Sequence, residues 1–106
     1  MDALDTAPNG DGSARLRLYV ARSTPNSVRA EHNLSAALNG LDGGLGRPKL
    51  EVIDVFSQPK RAIKDGVIVT PTLIGFAADK RIVLMGDLAD QVQVQRAILD
   101  LLALVP

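Results

Sequence analysis

The chain has 106 residues, which suits one domain and is too short for two. Hydrophobic residues make up 46% and aromatics only 3% (Tyr19, Phe56 and Phe76), so the core has to be built of Leu, Val, Ile and Ala. Twelve basic residues balance twelve acidic ones, and neither a long-range positive field nor a run of stacking rings is present to hold nucleic acid.

Residues 1–14 are Asp, Gly, Ala, Pro and Asn with little to bury and read as a disordered lead-in. From Arg15 the pattern alternates: Leu16, Leu18 and Val20 share one face, Arg15, Arg17 and Tyr19 the other, which predicts a strand. Thr24 is a good helix N-cap, and Pro25 suits the first helical position. Ala30, Leu34, Ala37, Leu38 and Leu41 then form one helical face, so a helix is expected over about 25–39, closed by Asn39-Gly40. A flexible glycine loop follows at 43–46.

Residues 49–55 are apolar on both faces (Leu50, Val52, Ile53, Val55), as in an interior strand. Ser57 offers a cap and Pro59 a first turn for a short helix ending near Asp65-Gly66. Strands at 72–77 and 81–85 are joined by a tight connection at 78–80 and make a hairpin. Gly86-Asp87-Leu88-Ala89-Asp90 breaks the strand and offers caps to a last helix over 89–103. Its face is Val94, Ile98, Leu101 and Val105, widened by Ala97 and Leu102.

The order is β-α-β-α-β-β-α. A right-handed crossover makes the first two strands parallel, and three helices cover a mixed four-stranded sheet. This is an α/β, thioredoxin-like architecture for residues 15–106.

The chemistry the chain can do is limited. It has no cysteine, so disulfide exchange, thiolate catalysis and thiolate metal ligands are excluded. In thioredoxin folds a Cys-x-x-Cys pair opens the first helix; here Ser23 and Asn26 stand in those places. Ser23 as a nucleophile needs a base, and the one histidine, His32, lies two turns along the helix with no orienting acid evident. With no second His and no Cys, no metal site is expected. Neither a cofactor nor a catalytic residue is assigned. Lys60-Arg61 and Lys80-Arg81 read as solvated charges, with a partner surface as the sharper alternative. No segment combines basic residues with a long apolar run, so a cytoplasmic protein without a membrane role is expected. Its near-neutral charge leaves self-association, as a dimer or tetramer, open.

Three blocks together carry a family resemblance. Leu16-Arg17-Leu18-Tyr19-Val20-Ala21 is followed by Thr24-Pro25-Asn26-Ser27-Val28-Arg29-Ala30. Then come Val52-Ile53-Asp54-Val55, Pro59 and Thr70-Pro71-Thr72-Leu73, and finally Gly86-Asp87-Leu88-Ala89-Asp90. In this order and spacing, over about residues 15–102, the chain resembles the KaiB family of circadian-clock proteins.

The resemblance implies a non-catalytic protein that binds a KaiC-type hexameric ATPase, with a KaiA-like protein or a sensor kinase as a further partner. It also implies two folds. One is the thioredoxin-like state; the other is a ground state of order β-α-β-β-α-α-β. Pro71 stands just before the hairpin, where thioredoxin folds place a cis proline, so the Thr70–Pro71 bond is expected to be cis in the first. Carried onto this sequence, Arg29 is the foremost partner contact, with Lys60 and Arg61 behind it. Thr70, Pro71, Thr72, Gly86, Asp87 and Ala97 are the positions of the conformational choice.

Two departures favour the thioredoxin-like state. Ala77-Ala78-Asp79-Lys80 stands where the family has a proline run, and Ala97 where it often has a helix-weakening glycine. The other reading of the residues is a thiol-free adaptor for a sensor kinase or stress regulator that has no clock.

Overall fold

The computed structural model describes residues 14–41 and 47–104. The lead-in expected over 1–14 falls outside them except for Ala14, as do the glycine loop at 43–46 and Val105. Ala14 is buried, and its carbonyl accepts a hydrogen bond from the Lys49 N–H at 3.1 Å, so Ala14 is part of the packed domain.

The elements are β1 (Arg15–Val20), α1 (Pro25–Asn39), β2 (Lys49–Asp54), α2 (Pro59–Lys64), β3 (Thr72–Ala77), β4 (Lys80–Met85) and α3 (Gln91–Leu102). The sheet order is β2-β1-β3-β4. β1 pairs parallel with β2 and antiparallel with β3, and β3 pairs antiparallel with β4. The architecture is the expected thioredoxin-like one.

The period-2 alternation of β1 sorts the two layers. Leu16, Leu18 and Val20 pack with Ala30, Leu34 and Leu38 of α1 and with Val94, Ile98 and Leu101 of α3. Each such aliphatic side chain taken from water stabilises the fold by about 1.5–3 kcal/mol before entropy is counted. On the other face Tyr19, Ile53 and Ile74 form a smaller cluster under Ala62 of α2. Gly75 of β3 lets α3 come close: a Cβ there would lie 2.3 Å from Leu101 Cδ1 and 2.9 Å from Ile82 Cγ1.

Several local expectations change. The 49–55 segment is not an interior strand; β2 lies at the edge of the sheet. Its register sets Leu50 beside Leu16 and Val52 beside Leu18, yet Leu50 and Val52 stay 39% and 44% exposed. The buried cluster on that face is built from β1 and β3 and does not extend over them. Thr24 holds the N-cap position of α1, but its hydroxyl donates back to the Ala21 carbonyl at 2.8 Å. Ser57 does not cap α2, since its hydroxyl donates to Asp54 Oδ2 at 2.9 Å and Gln58 occupies the cap position. α3 starts at Gln91, with Asp90 accepting from the Gln93 N–H at 3.1 Å. Ala77 pairs with Lys80, so the hairpin loop is Ala78 and Asp79 alone.

Candidate functional site

The foremost sequence-predicted contact, Arg29, sits in the second turn of α1 with its side chain 55% exposed. Its guanidinium hydrogen-bonds Asn26 Oδ1, and its Nε lies 3.5 Å from Asp87 Oδ2. The structure thus brings together two residues that sequence reasoning had given separate roles. Asp87 lies in the turn between β4 and α3, where Gly86 adopts φ 100°. Asp87 Oδ1 accepts from the Ala89 N–H at 3.1 Å. The turn is tied to α1 again by Asn33, whose side-chain amide donates to the Asp87 carbonyl at 2.8 Å. Gln91 and Gln95 of α3 donate in turn to the Asn33 and Ala37 carbonyls at 2.9 and 3.2 Å. Polar side chains thereby lace α1, the turn and α3 into one surface.

The proposed switch residues gather at the base of that turn. The Thr70–Pro71 bond is cis, as expected from its place before the hairpin. Pro71 is fully buried, and its carbonyl accepts from the Gly86 N–H at 3.0 Å. Thr72 is buried and its hydroxyl donates to the Val69 carbonyl at 2.7 Å. Ala97 lies apart from them, half-buried in the middle of α3.

Lys60 and Arg61 lie on α2, on the opposite side of the sheet from α1. Lys60 is exposed. Arg61 is not a freely solvated charge: it grips Glu51 of β2 through two N–H···O contacts of 2.5 and 2.8 Å. Beneath α2 is a polar knot the sequence did not reveal. Tyr19 donates to Asp65 Oδ2 at 2.5 Å, and Arg17 donates to the same oxygen at 2.9 Å. The Arg17 guanidinium also lies 4.8 Å from the centre of the Phe76 ring. Burial, the hydrogen bond to Asp65 and that carboxylate's charge all push the Tyr19 hydroxyl well above the usual phenol range. Alternation had placed Arg17 and Tyr19 on one face; the one available signal for the knot was two long polar side chains flanking an apolar strand.

No chemistry gathers at the turn that replaces Cys-x-x-Cys. Ser23 is exposed with φ 70°, and His32 is exposed on α1. Among the described residues no group of His, Cys, Asp and Glu is placed to hold a metal ion. No helix among them is long and apolar enough to cross a membrane.

A family model described as the KaiB domain matches residues 17–101. The chain belongs to the KaiB family. It is similar to the circadian clock oscillator protein KaiB of Prochlorococcus marinus subsp. pastoris, 41% identical over 79 residues, covering 74% of this chain and 72% of that protein. It is similar also to the protein of the same name from Rippkaea orientalis, at 42% over 79 residues and 74% of each. Among solved structures, this KaiB-family chain resembles a mutant thioredoxin from Halobacterium salinarum, with TM-score 0.74, 22% identity and coverage of 100% of this chain and 88% of that one. A second is Trxlp of Edwardsiella tarda, with TM-score 0.75, 15% identity and coverage of 92% and 93%. At those identities the likeness to thioredoxins is one of fold.

Proposed function

We propose that this KaiB-family chain is a non-catalytic binding protein that docks on a KaiC-type hexameric ATPase in the cytoplasm and modulates its phosphorylation and ATPase cycle. The observation that carries this reading is Arg29. It lies inside the block shared with the family, points an exposed guanidinium outward, and is held by Asn26 and Asp87. A cation already restrained loses less rotamer freedom on docking, a saving of about 0.5–1.5 kcal/mol for a side chain of this kind. The lack of cysteine, and a Ser23 with no base evident beside it, support a binding role over catalysis. Thr70, Pro71, Thr72, Gly86, Asp87 and Ala97 act in this reading through the balance between two folds rather than by touching the partner.

The test is a pull-down and gel-filtration assay against the host's KaiC-type ATPases, with ATP and with ADP. A complex that forms with one of them and is weakened about tenfold or more by Arg29→Ala supports the reading. Absence of a complex with every such ATPase overturns it, and capture of a sensor kinase instead assigns the chain to a clock-free adaptor role.

A further inference from the structure

β4 closes the sheet at the edge opposite β2. It runs in unbroken register with β3 from Thr72↔Met85 to Ala77↔Lys80, so no bulge twists this edge away. The next pair along, Pro71 and Gly86, is hydrogen-bonded: the Gly86 N–H donates to the Pro71 carbonyl at 3.0 Å. Bonded and non-bonded pairs alternate in an antiparallel ladder. Ile82 and Leu84 therefore bond to β3, whereas the N–H and C=O groups of Arg81, Val83 and Met85 point away from it. Among the described residues no strand pairs with that side of β4. The side chains of Val83 and Met85 are exposed, and with Ile68, 93% exposed, they line a hollow of about 160 Å³ on the α2 side of the edge.

We propose that β4 pairs antiparallel with β4 of a second copy of this chain, joining the two sheets into one about a two-fold axis at Val83. Unpaired main-chain groups along an edge call for an extended strand, and β4 is complementary to itself. About that axis Val83 meets Val83, Arg81 meets Met85, and Ile82 meets Leu84. The residues that face outward, Arg81, Val83 and Met85, are then the ones that exchange main-chain bonds. The cations of β4, Lys80 and Arg81, stand together at its start, and Ile82, Val83, Leu84 and Met85 carry no charge. Antiparallel pairing sends the two copies' cations to opposite ends, whereas parallel pairing in register would set like charge beside like. Asp79 and Asp87, the acids next along the chain, lie beyond the paired segment. Residues 1–13 make a poor strand for this edge, being rich in Asp, Gly, Asn and Pro. The pairing goes beyond the proposed ATPase contact, which rests on Arg29 of α1.

The experiment uses the full chain, in which any introduced thiol is alone because there is no native cysteine. At the two-fold axis the two copies of residue 83 form a hydrogen-bonded pair with Cα atoms about 5.5 Å apart, within the range a disulfide spans. Val83→Cys is therefore expected to give a disulfide-linked dimer on mild oxidation. Met85→Cys, also exposed, faces Arg81 instead of itself and is expected to cross-link at least about tenfold more slowly. Sedimentation velocity of the unaltered chain over a dilution series is expected to show a monomer–dimer equilibrium. Val83→Lys, which sets two ammonium groups face to face, is expected to weaken it about tenfold. Exchange of the Val83 N–H is expected to slow as the dimer forms. Should Val83→Lys fail to fold, the two cysteine variants carry the test. A chain that stays monomeric at every concentration, or a Met85→Cys variant that cross-links as fast as Val83→Cys, overturns the proposal. So does a Val83 N–H protected in the monomer, which would give the edge to another segment of the same chain.

Discussion

Tyr19 of β1 donates its phenolic hydrogen to Asp65 Oδ2 across 2.5 Å, joining the middle of the sheet to the end of α2. Arg17 meets the same carboxylate at 2.9 Å, and the two charged side chains are only 7% and 11% exposed. One carboxylate therefore satisfies two buried partners and closes the underside of the fold, where the apolar cluster is small.

Removing that carboxylate is expected to cost more than removing either partner's bond. Asp65→Ala removes the acceptor of two hydrogen bonds at once, one of them from the charged Arg17, and is expected to cost about 2–4 kcal/mol. Tyr19→Phe removes one hydrogen bond and is expected to cost about 1–2 kcal/mol. Urea denaturation of the two variants checks the order. Equal midpoints for both would show that the knot contributes little through its charge.

Alkaline pH gives a second handle on the knot, because Tyr19 is the one tyrosine of the chain. Its folded-state pKa lies above the unfolded value of about 10. The sign follows: the contribution of this group is fully present below that pH and is lost as the pH rises past it, because the unfolded state releases the proton first. Phenolate absorbance near 295 nm is therefore expected to appear only together with loss of far-ultraviolet circular dichroism. Ionisation of the phenol in a still-folded protein would contradict this.

Gly75 tests the closeness of α3 to the sheet. A methyl at this position meets Leu101, Ile82 and Leu16 side chains, the nearest at 2.3 Å. Gly75→Ala is expected to destabilise by about 1–3 kcal/mol through overpacking. Thermal unfolding followed by circular dichroism measures it, and an unchanged midpoint would mean that α3 shifts freely.

Ala97 tests the proposed second fold. It lies inside α3, where glycine costs roughly 0.5–1 kcal/mol relative to alanine. If residue 97 leaves the helix in that fold, Ala97→Gly is expected to raise the minor population several-fold, visible as a second set of NMR peaks. Loss of stability with a single set of peaks would assign one fold to this chain.

Much of this was legible in the chain itself. Leu16, Leu18 and Val20 announced a strand face, and Val94, Ile98 and Leu101 a helix face, because each pattern is local and periodic. The order of elements and the family blocks followed from the same short-range signals. The proposed contact at Arg29 was legible as a motif, but its pairing with Asp87 was not, since those residues are far apart in the chain.

The amino-acid sequence alone thus determined the element order, the core-facing residues and the family. Only the tertiary structure decided that β2 is an edge strand, that Arg17, Tyr19 and Asp65 form one buried knot, and that Arg81, Val83 and Met85 lie on the other edge. The physical reason is the same in each case. Alternation states which side chains share a face of a strand, whereas strand order, register and the helix laid over that face decide which charges meet.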